Sequence, residues 1–293
     1  MSANPHRPLL RYHGGKWRLA PFVLAHLPAH RVYVEPFGGA ASVLLRKPRS
    51  YAEIYNDLDE EIVGLFEVLR DPDSAARLQE LVALTPYSRV EFERSYAEAS
   101  EPVERARRLL VRSWMAHGSS GLRKHRTGFR LGVGREFTTP AGDWHGFAAA
   151  LPAIVERLRG VYIERRPAEQ VIARHDAADT LFYCDPPYMF GTRSQKRIGN
   201  DLYHGYRHEL DDAGHATLLA QLFELKGMVV LSGYASEAYD AALPGWLKAT
   251  TQALADRAAA RTEVLRINPA AAQRLQACDP VVAQGQLFAE DAA

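Results

Sequence analysis

The sequence has few cysteines, no long apolar run and almost no net charge. Cys184 and Cys278 are the only cysteines among 293 residues, which excludes a disulfide framework and a zinc site made of cysteines alone. No stretch approaches the roughly 18 apolar residues of a membrane-spanning helix. The N-terminus lacks the apolar core and cleavage site of a signal peptide. We therefore expect a cytoplasmic protein without a membrane partner.

The composition is that of an ordinary globular protein, with 47% hydrophobic and 24% charged residues. Its net charge of +1 is unevenly distributed, because residues 105–135 contain nine Lys or Arg and no Asp or Glu. The rest of the chain then holds 27 basic against 35 acidic residues. This basic run is either a phosphate-binding surface or a solvated helix face.

The order of predicted elements indicates an α/β fold interrupted by a helical insert. Short β-branched or aromatic runs alternate with helical patterns, which is typical of a mostly parallel sheet. A helix is also expected to start within 40–45, after a glycine turn. The predicted strands are 32–36, 51–57, 161–165, 180–184, 228–234 and 262–268, and the predicted helices include 58–69, 74–84, 88–98, 102–117, 147–158 and 211–225. We therefore expect one domain from 1–70 plus 159–268, an insert at 71–158 and a flexible tail at 269–293.

The strongest local motif is Asp185-Pro186-Pro187-Tyr188, directly after the apolar strand 180–184. Ligands bind at the carboxyl ends of strands in open α/β sheets, and two prolines remove amide donors from the local backbone. A carboxylate, outward carbonyls and an aromatic ring suit a planar group with an exocyclic amine. The alternative is a proline-rich turn with a buried tyrosine.

Three weaker motifs accompany it. VEPFGGAAS at 34–42 combines an acid with a glycine turn, although alone it is also compatible with a plain strand-to-helix turn. Asn56 and Asp57 follow the next strand, where acids commonly bind ribose hydroxyls. YHGGK at 12–16 is not a P-loop, because it lacks the first glycine and the final Ser or Thr.

In this order, RYHGGKW, VEPFGGAAS, YNDLDEE and DPPY resemble the Dam-type DNA adenine N6 methyltransferases of the D12 class, in their phage and prophage branch. The resemblance covers residues 9 to about 268, including LSGY at 231–234 and RTEVLRIN at 261–268. It implies a Rossmann-like S-adenosylmethionine-dependent methyltransferase sheet at 1–70 plus 159–268. The insert 71–158 would be the DNA target-recognition domain.

Residue by residue, the resemblance implies a cofactor pocket and an adenine site. Tyr12 and Lys16 would help to close the pocket for S-adenosylmethionine. Ala40 departs from many relatives, which have glycine there, and its methyl group would crowd the cofactor. The expected cofactor-binding residues are Tyr12, Lys16, Glu35, Phe37, Gly39 and Asp57 together with Asp185, and the expected catalytic residues are Asp185, Pro186, Pro187 and Tyr188.

The implied reaction needs no metal and no covalent intermediate. Hydrogen bonds from the adenine amine to Asp185 and to the Pro186 carbonyl would localise the nitrogen lone pair toward the sulfonium methyl group. An adenine inside double-stranded DNA must flip out to reach such a pocket. Tyr203 and Tyr206 would fill the vacated stack or serve as ordinary packing. The expected DNA-binding residues are Arg112, Arg123, Lys124, Arg126, Arg130, Arg193, Lys196 and Arg197.

Two further patterns have plain interpretations beside functional ones. His204 and His208 are spaced like metal ligands but lack a third ligand nearby, which favours surface or DNA-contacting histidines. QGQLF at 284–288 resembles the motif by which bacterial proteins dock on the sliding clamp, through Gln284, Leu287 and Phe288, although five-residue matches also arise by chance.

Three other functions are weighed against the same sequence features. A cytosine N4 methyltransferase needs the same amine chemistry, but by resemblance that group usually carries Ser where Asp185 stands. A DNA-binding protein on a decayed methyltransferase fold is opposed by intact Lys16, Asp57 and DPPY. A dehydrogenase explains neither DPPY nor the basic insert.

Overall fold

A computed structural model describes residues 5–277 except 13, 120–121, 123–125, 133–137, 190–196, 199–200, 203–207 and 255–259. The described part contains a seven-stranded sheet and a two-stranded hairpin. The main sheet comprises β1 Val32–Glu35, β2 Ala52–Asn56, β3 Val161–Glu164, β4 Thr180–Cys184, β7 Met228–Tyr234, β8 Leu247–Leu254 and β9 Ala260–Ile267, and the hairpin comprises β5 Arg197–Ile198 and β6 Asp201–Leu202.

The main sheet has the strand order β3-β2-β1-β4-β7-β9-β8. The first five of these strands are parallel, whereas β9 runs antiparallel to both β7 and β8. The central strands are buried on both faces, as in β4, whose five residues are all buried. The predicted mostly parallel sheet is confirmed, with β8 as a strand that the sequence interpretation omitted.

Several helices begin where the sequence supplies a capping side chain. Asp59 accepts a hydrogen bond from the Glu61 amide, and Asp71 accepts one from the Ser74 amide, so each carboxylate caps a helix start. The helices are α1 Ala20–Leu24, α2 Glu60–Arg70, α3 Pro72–Leu84, α4 Arg89–Arg94, α5 Pro102–Met115, α6 Pro140–His145, α7 Leu151–Leu158, α8 Ala168–His175, α9 Asp212–Phe223, α10 Glu237–Ala242 and α11 Pro269–Ala277.

The insert packs directly on the sheet domain. Leu109 and Leu110 of α5 belong to the same buried cluster as Ile62 and Phe66 of α2. The indole of Trp114 on α5 also donates a hydrogen bond to a carbonyl near the N-terminus, at 3.2 Å. The expected boundaries of the insert, 70/71 and 158/159, fall at the ends of α2 and α7. The contacts above show that the insert nevertheless shares its hydrophobic core with the sheet domain.

Two local expectations need correction. Residues 40–45 form consecutive turns instead of a helix, and Ala41 has a positive φ of 50° that an α-helix does not allow. The tail does not start at residue 269 as a flexible segment, because α11 packs on β7. Asn268 fixes that helix, since its side-chain oxygen accepts from the amides of Val229 and Ala271.

None of the helices in the described ranges has both the length and the apolarity to cross a membrane. The segment QGQLF at 284–288 and the residues Tyr203, His204 and Tyr206 lie outside the described residues.

Candidate functional site

One cavity lies at the carboxyl ends of β1, β2 and β4. Glu35 ends β1, Asp57 follows β2, and Asp185 follows β4, and all three line the cavity. Because these strands are parallel and adjacent, their carboxyl ends meet at one edge of the sheet. The sheet topology therefore brings together three acids that are far apart in sequence.

Glu35 is a buried carboxylate held by two hydrogen bonds. Its Oε1 accepts from the Tyr33 hydroxyl at 2.6 Å and from the Leu44 amide at 2.8 Å. Burial raises the pKa of Glu35 to about 7, although these hydrogen bonds and the charges of Lys47 and Arg157 act in the opposite direction. The Glu35 carboxyl group is thus partly protonated and partly ionised near neutral pH.

The glycine turn brings backbone close to the cavity. A Cβ at Gly38 would lie 2.1 Å from the ring of Tyr55, so only glycine fits there. Gly39 has a φ of 47°, and its carbonyl accepts a hydrogen bond from the Tyr55 hydroxyl at 2.7 Å. Ala40 also lines the cavity, with 4% of its surface exposed, so its methyl group occupies space that a glycine would leave open.

Asp57 connects the second strand to the glycine turn. Its Oδ2 accepts from the Gly39 amide and its Oδ1 from the Asp59 amide, both at 2.8 Å. Burial raises the pKa of Asp57, and the two amides and the nearby His208 partly offset that effect. Each carboxylate oxygen has a second lone pair, so Asp57 can accept further hydrogen bonds from a ligand.

Lys16 forms an ion pair with the acid of the DPPY motif. Its Nζ lies 2.9 Å from Asp185 Oδ2 and donates to the Gly14 carbonyl at 3.0 Å. The same ammonium lies over the ring of Tyr188, 4.8 Å from its centroid. The buried Oδ1 of Asp185 has no hydrogen-bond partner within the described part of the chain. Asp185 therefore accepts an N–H from Lys16 on Oδ2, and its Oδ1 can accept a further hydrogen bond from a ligand.

Tyr188 is more enclosed than a simple stacking platform would be. Only 7% of its surface is exposed. Its hydroxyl donates to Glu263 Oε2 at 2.8 Å and lies 3.4 Å from the Ser232 hydroxyl. Its ring and that of Tyr234 form a T-shaped contact, with ring centroids 4.5 Å apart. Because Lys16 lies over the ring, a base can stack on that face only after Lys16 moves.

The structure brings the predicted cofactor residues to one cavity, along with others that sequence reasoning did not assign. His208 is among them and its side chain is exposed, so its interpretation as a surface residue is confirmed, while a contact with DNA stays a prediction. In the sequence, its only signal is its spacing of four residues from His204. The predicted residues that line the cavity are Tyr12, Lys16, Glu35, Phe37, Gly39, Asp57, Asp185 and Pro187, and the unassigned ones include Ser42, Pro167, Glu169, His208 and Glu209.

The basic run 105–135 is partly neutralised by acids that approach from outside it. Arg107 lies 3.0 Å from Glu91 and 2.7 Å from Glu104, and Arg108 also binds Glu104 at 2.7 Å. The hydrogen bond from Arg107 is the main reason that the pKa of Glu104 falls to about 2. The α5 part of the run therefore holds insert helices together instead of forming a free phosphate-binding surface.

The predicted DNA contact of Arg112 does not fit its position in the structure. Its guanidinium is buried, donating to the Ser95 carbonyl at 2.8 Å and to Glu61 at 2.6 Å. Arg130 is likewise buried, 3.4 Å from Asp143. Both side chains fasten the insert, and binding DNA would require breaking those contacts. Arg126 is exposed, and the side chains of Arg123, Lys124, Arg193, Lys196 and Arg197 lie outside the described residues.

Comparison with known proteins identifies the family. The family of D12 class N6 adenine-specific DNA methyltransferases matches residues 12–243. A DNA adenine methylase of Escherichia coli K12 is 28% identical over 191 residues, which cover 62% of this chain and 65% of that protein. A DNA adenine methylase of Serratia marcescens is 28% identical over 195 residues, covering 62% of this chain and 67% of that protein. The match thus spans slightly less than two thirds of the Escherichia coli relative.

The mostly parallel sheet with helices is consistent with a Rossmann-like methyltransferase fold, as the resemblance implies. The family match includes every cavity residue named above and spans more than half of the chain. The chain therefore belongs to the D12 class N6 adenine-specific DNA methyltransferase family.

Proposed function

We propose that the protein transfers a methyl group from S-adenosylmethionine to the N6 amine of adenine in double-stranded DNA. The observation that carries this proposal is Asp185, which holds an N–H donor on one oxygen beside a cavity lined by Glu35 and Asp57. Family membership and the names of the relatives, DNA adenine methylases, support the same activity.

The cavity has the chemistry that S-adenosylmethionine requires. Glu35 offers a negative charge to the ammonium of the methionine part, and Asp57 offers lone pairs to ribose hydroxyls. The tight turn at Gly38 and Gly39 lets a ligand approach the backbone closely. When bound, S-adenosylmethionine supplies an electrophilic methyl group on a sulfonium centre. Phe37 and Tyr12, which also line the cavity, offer apolar surface beside that cationic group.

Asp185 would hold and orient the target amine. The adenine amine is a weak nucleophile because its lone pair is delocalised into the ring. Donating one N–H to Asp185 and one to the Pro186 carbonyl would favour a pyramidal nitrogen with a localised lone pair. Asp185 can also accept the proton that the amine loses.

Entry of the base requires Lys16 to leave its present position. Its ammonium binds Asp185 and lies over the Tyr188 ring, which are the two groups that the adenine would contact. An arriving amine would replace the ammonium as donor to Asp185. Lys16 would then be free to help close the cofactor pocket, in agreement with its role in the family resemblance.

The insert would bind the DNA and help to flip the base. Arg126 is its described and exposed candidate, stacked on Tyr96 with its guanidinium 4.9 Å from the ring centroid. Arg123, Lys124, Arg193, Lys196 and Arg197 stay candidates for phosphate or base contacts. Docking of Gln284, Leu287 and Phe288 on a sliding clamp also stays a proposal.

The decisive experiment measures the methylated nucleosides directly. The purified protein is incubated with S-adenosylmethionine and unmethylated genomic DNA, which contains every short recognition sequence, and the digest is analysed by mass spectrometry. We expect N6-methyladenine, which should disappear in Asp185→Ala. The matched control is Asp179→Ala, because Asp179 is an exposed acid that immediately precedes the same strand.

Either of two results would overturn the proposal. N4-methylcytosine in place of N6-methyladenine would keep the amine chemistry but change the base. Neither product, with calorimetry still showing bound cofactor, would favour the alternative of a decayed methyltransferase fold without turnover.

A further inference from the structure

The Tyr188 hydroxyl is anchored on a residue far from the DPPY motif in sequence. Glu263, the fourth residue of β9, accepts its hydrogen bond at 2.8 Å. Glu263 is only 8% exposed, and Tyr188 only 7%. Glu263 lies beyond residues 12–243, which match the family. This contact therefore joins the adenine site to a part of the chain to which no role has been assigned.

The antiparallel direction of β9 explains how Glu263 reaches this site. The parallel strands β4 and β7 end at the cavity edge, and β9 runs the opposite way, so that it meets the end of β7 at its fourth residue. In register, Glu263 pairs with Tyr234, the last residue of β7. Tyr188 lies across the last residues of β7, where it contacts Ser232 and Tyr234, and its hydroxyl binds Glu263 on the adjacent strand β9.

Burial makes this hydrogen bond strongly directional. A buried hydroxyl or carboxylate without a partner is costly, so each group restricts the position of the other. Burial, reinforced by the charges of Asp185 and Glu263, raises the pKa of Tyr188 well above its ordinary value, which keeps the phenol protonated as the donor. A charged acceptor also makes the bond stronger than one between neutral groups.

We propose that Glu263 is a positioning residue for methyl transfer, which fixes the Tyr188 phenol and thereby the orientation of Asp185 three residues earlier. This inference rests on the proposed function of the site. Glu263 does not touch the reacting atoms. It acts by holding the rigid Asp185-Pro186-Pro187-Tyr188 segment at its Tyr188 end, and it keeps that contact when Lys16 leaves Asp185 to admit the base.

A double-mutant cycle tests this role. In single-turnover methylation, Glu263→Ala should lower the rate constant about tenfold or more, because small displacements of reacting groups are costly. Glu263→Gln should restore most of the rate, since its amide oxygen still accepts from the phenol. In a Tyr188→Phe background, Glu263→Ala should have no further effect, because the contact is already absent. The affinity for S-adenosylmethionine should stay unchanged in the Glu263 variants.

The control variant is Thr262→Ala, on the adjacent position of β9, which should keep the wild-type rate. Equal losses from Glu263→Ala in both backgrounds, or a parallel loss of cofactor affinity, would show a general structural role and overturn the proposal. An unchanged rate in Glu263→Ala would also overturn it.

A second measurement separates this inference from the proposed function. In protein labelled with ¹³C at tyrosine Cζ, the Tyr188 resonance is assigned by its loss in Tyr188→Phe. It should shift in Glu263→Gln and not in Thr262→Ala, whether or not the wild type methylates DNA. Absence of that shift would overturn the contact itself, whereas absence of methylation with the shift present would overturn only the proposed function.

Discussion

Glu35 is a carboxylate that burial keeps close to its protonation midpoint at neutral pH. Its neighbours Tyr33 and Leu44 stabilise the charged form, but the loss of hydration outweighs them and raises the pKa to about 7. In the proposed site, the charged form is the one that attracts the ammonium of S-adenosylmethionine. Protonation of this one residue should therefore weaken cofactor binding.

We predict that cofactor affinity falls as the pH is lowered through 7. At pH 5.5 only a few per cent of a group with a pKa near 7 is ionised, so the dissociation constant should rise about tenfold between pH 7 and pH 5.5. Calorimetric titration with S-adenosylmethionine measures this change. Glu35→Gln should bind more weakly with little pH dependence, which also reports any titration of the ligand. A wild-type affinity that stays constant over this range would contradict the assignment.

At this scale, the sequence alone could locate the acids that follow strands. Glu35, Asp57 and Asp185 each stand at the end of an apolar run, and parallel topology places such residues together. Glu263 could not be predicted, because its partner is 75 residues away and the contact depends on the antiparallel direction of β9. His208 has no strand-end signal either.

The glycine turn after β1 keeps its shape because Gly38 has no side chain. Tyr55 lies against Gly38, and its hydroxyl binds the Gly39 carbonyl. A Cβ at position 38 would overlap the Tyr55 ring, which is fully buried and cannot move aside easily. The turn and the second strand must therefore keep their present spacing.

Gly38→Ala should displace the turn and lower cofactor affinity by about tenfold or more, with a loss of stability of roughly 1–3 kcal/mol from overpacking. Gly64→Ala is the matched control, because Gly64 lies within α2 with no atom within 4 Å of an added Cβ. That change should be neutral or stabilising by up to about 1 kcal/mol. Thermal unfolding with and without S-adenosylmethionine measures both effects, and equal behaviour of the two variants would contradict the expectation.

Helices and strands were predictable where their periodic patterns are long, and less so where tertiary contacts decide. Residues 105–135 are strongly basic in sequence, but in the fold Glu61 and Glu91 from neighbouring helices pair with two of their arginines. Likewise, α11 forms because Asn268 caps it against β7, which the alanine-rich composition of the tail does not reveal. Charge and composition along a chain do not report partners from other elements.

For the whole molecule, a buried ionic cluster connects the insert to the sheet. Arg157 of α7 binds both oxygens of Glu53 on β2, at 2.7 and 2.9 Å, and Lys47 binds Glu53 at 2.7 Å. All three side chains are at most 5% exposed. Burial alone would raise the pKa of Glu53, but the hydrogen bonds from Arg157 and Lys47 outweigh it and lower the pKa. The end of the insert is thus joined to the sheet by a buried ion pair, in which each charge compensates the loss of hydration of the other.

Glu53→Gln should destabilise the whole protein, because it leaves two buried cations without their anion. We expect a loss of roughly 3 kcal/mol near neutral pH. A lowered pKa means that the contribution of Glu53 is present above its ordinary pKa and is lost as the pH falls through the folded-state value, so the two proteins should converge in acid. Glu80→Gln, in the exposed pair with Arg77, should change stability very little.

Urea unfolding followed by tryptophan fluorescence and by circular dichroism measures both variants. Because the insert and the sheet share one core cluster, the two signals should report a single coincident transition in the wild type. Separate transitions, or equal stability of Glu53→Gln and wild type, would contradict this account.

If the insert reads DNA as proposed, the bridge between Ala116 and Phe129 marks where a graft that alters sequence preference should begin and end. The backbones on either side of it are tied together, with the His117 amide donating to the Gly128 carbonyl and the Arg130 amide to Met115. Exchanging the entire insert between relatives would cut through the shared core and the Arg157 contact. A transplant confined to residues 118–127 that keeps Leu122, a buried member of that core, would leave both intact, and the paired backbones on either side would hold the ends of the exchanged segment at a fixed separation.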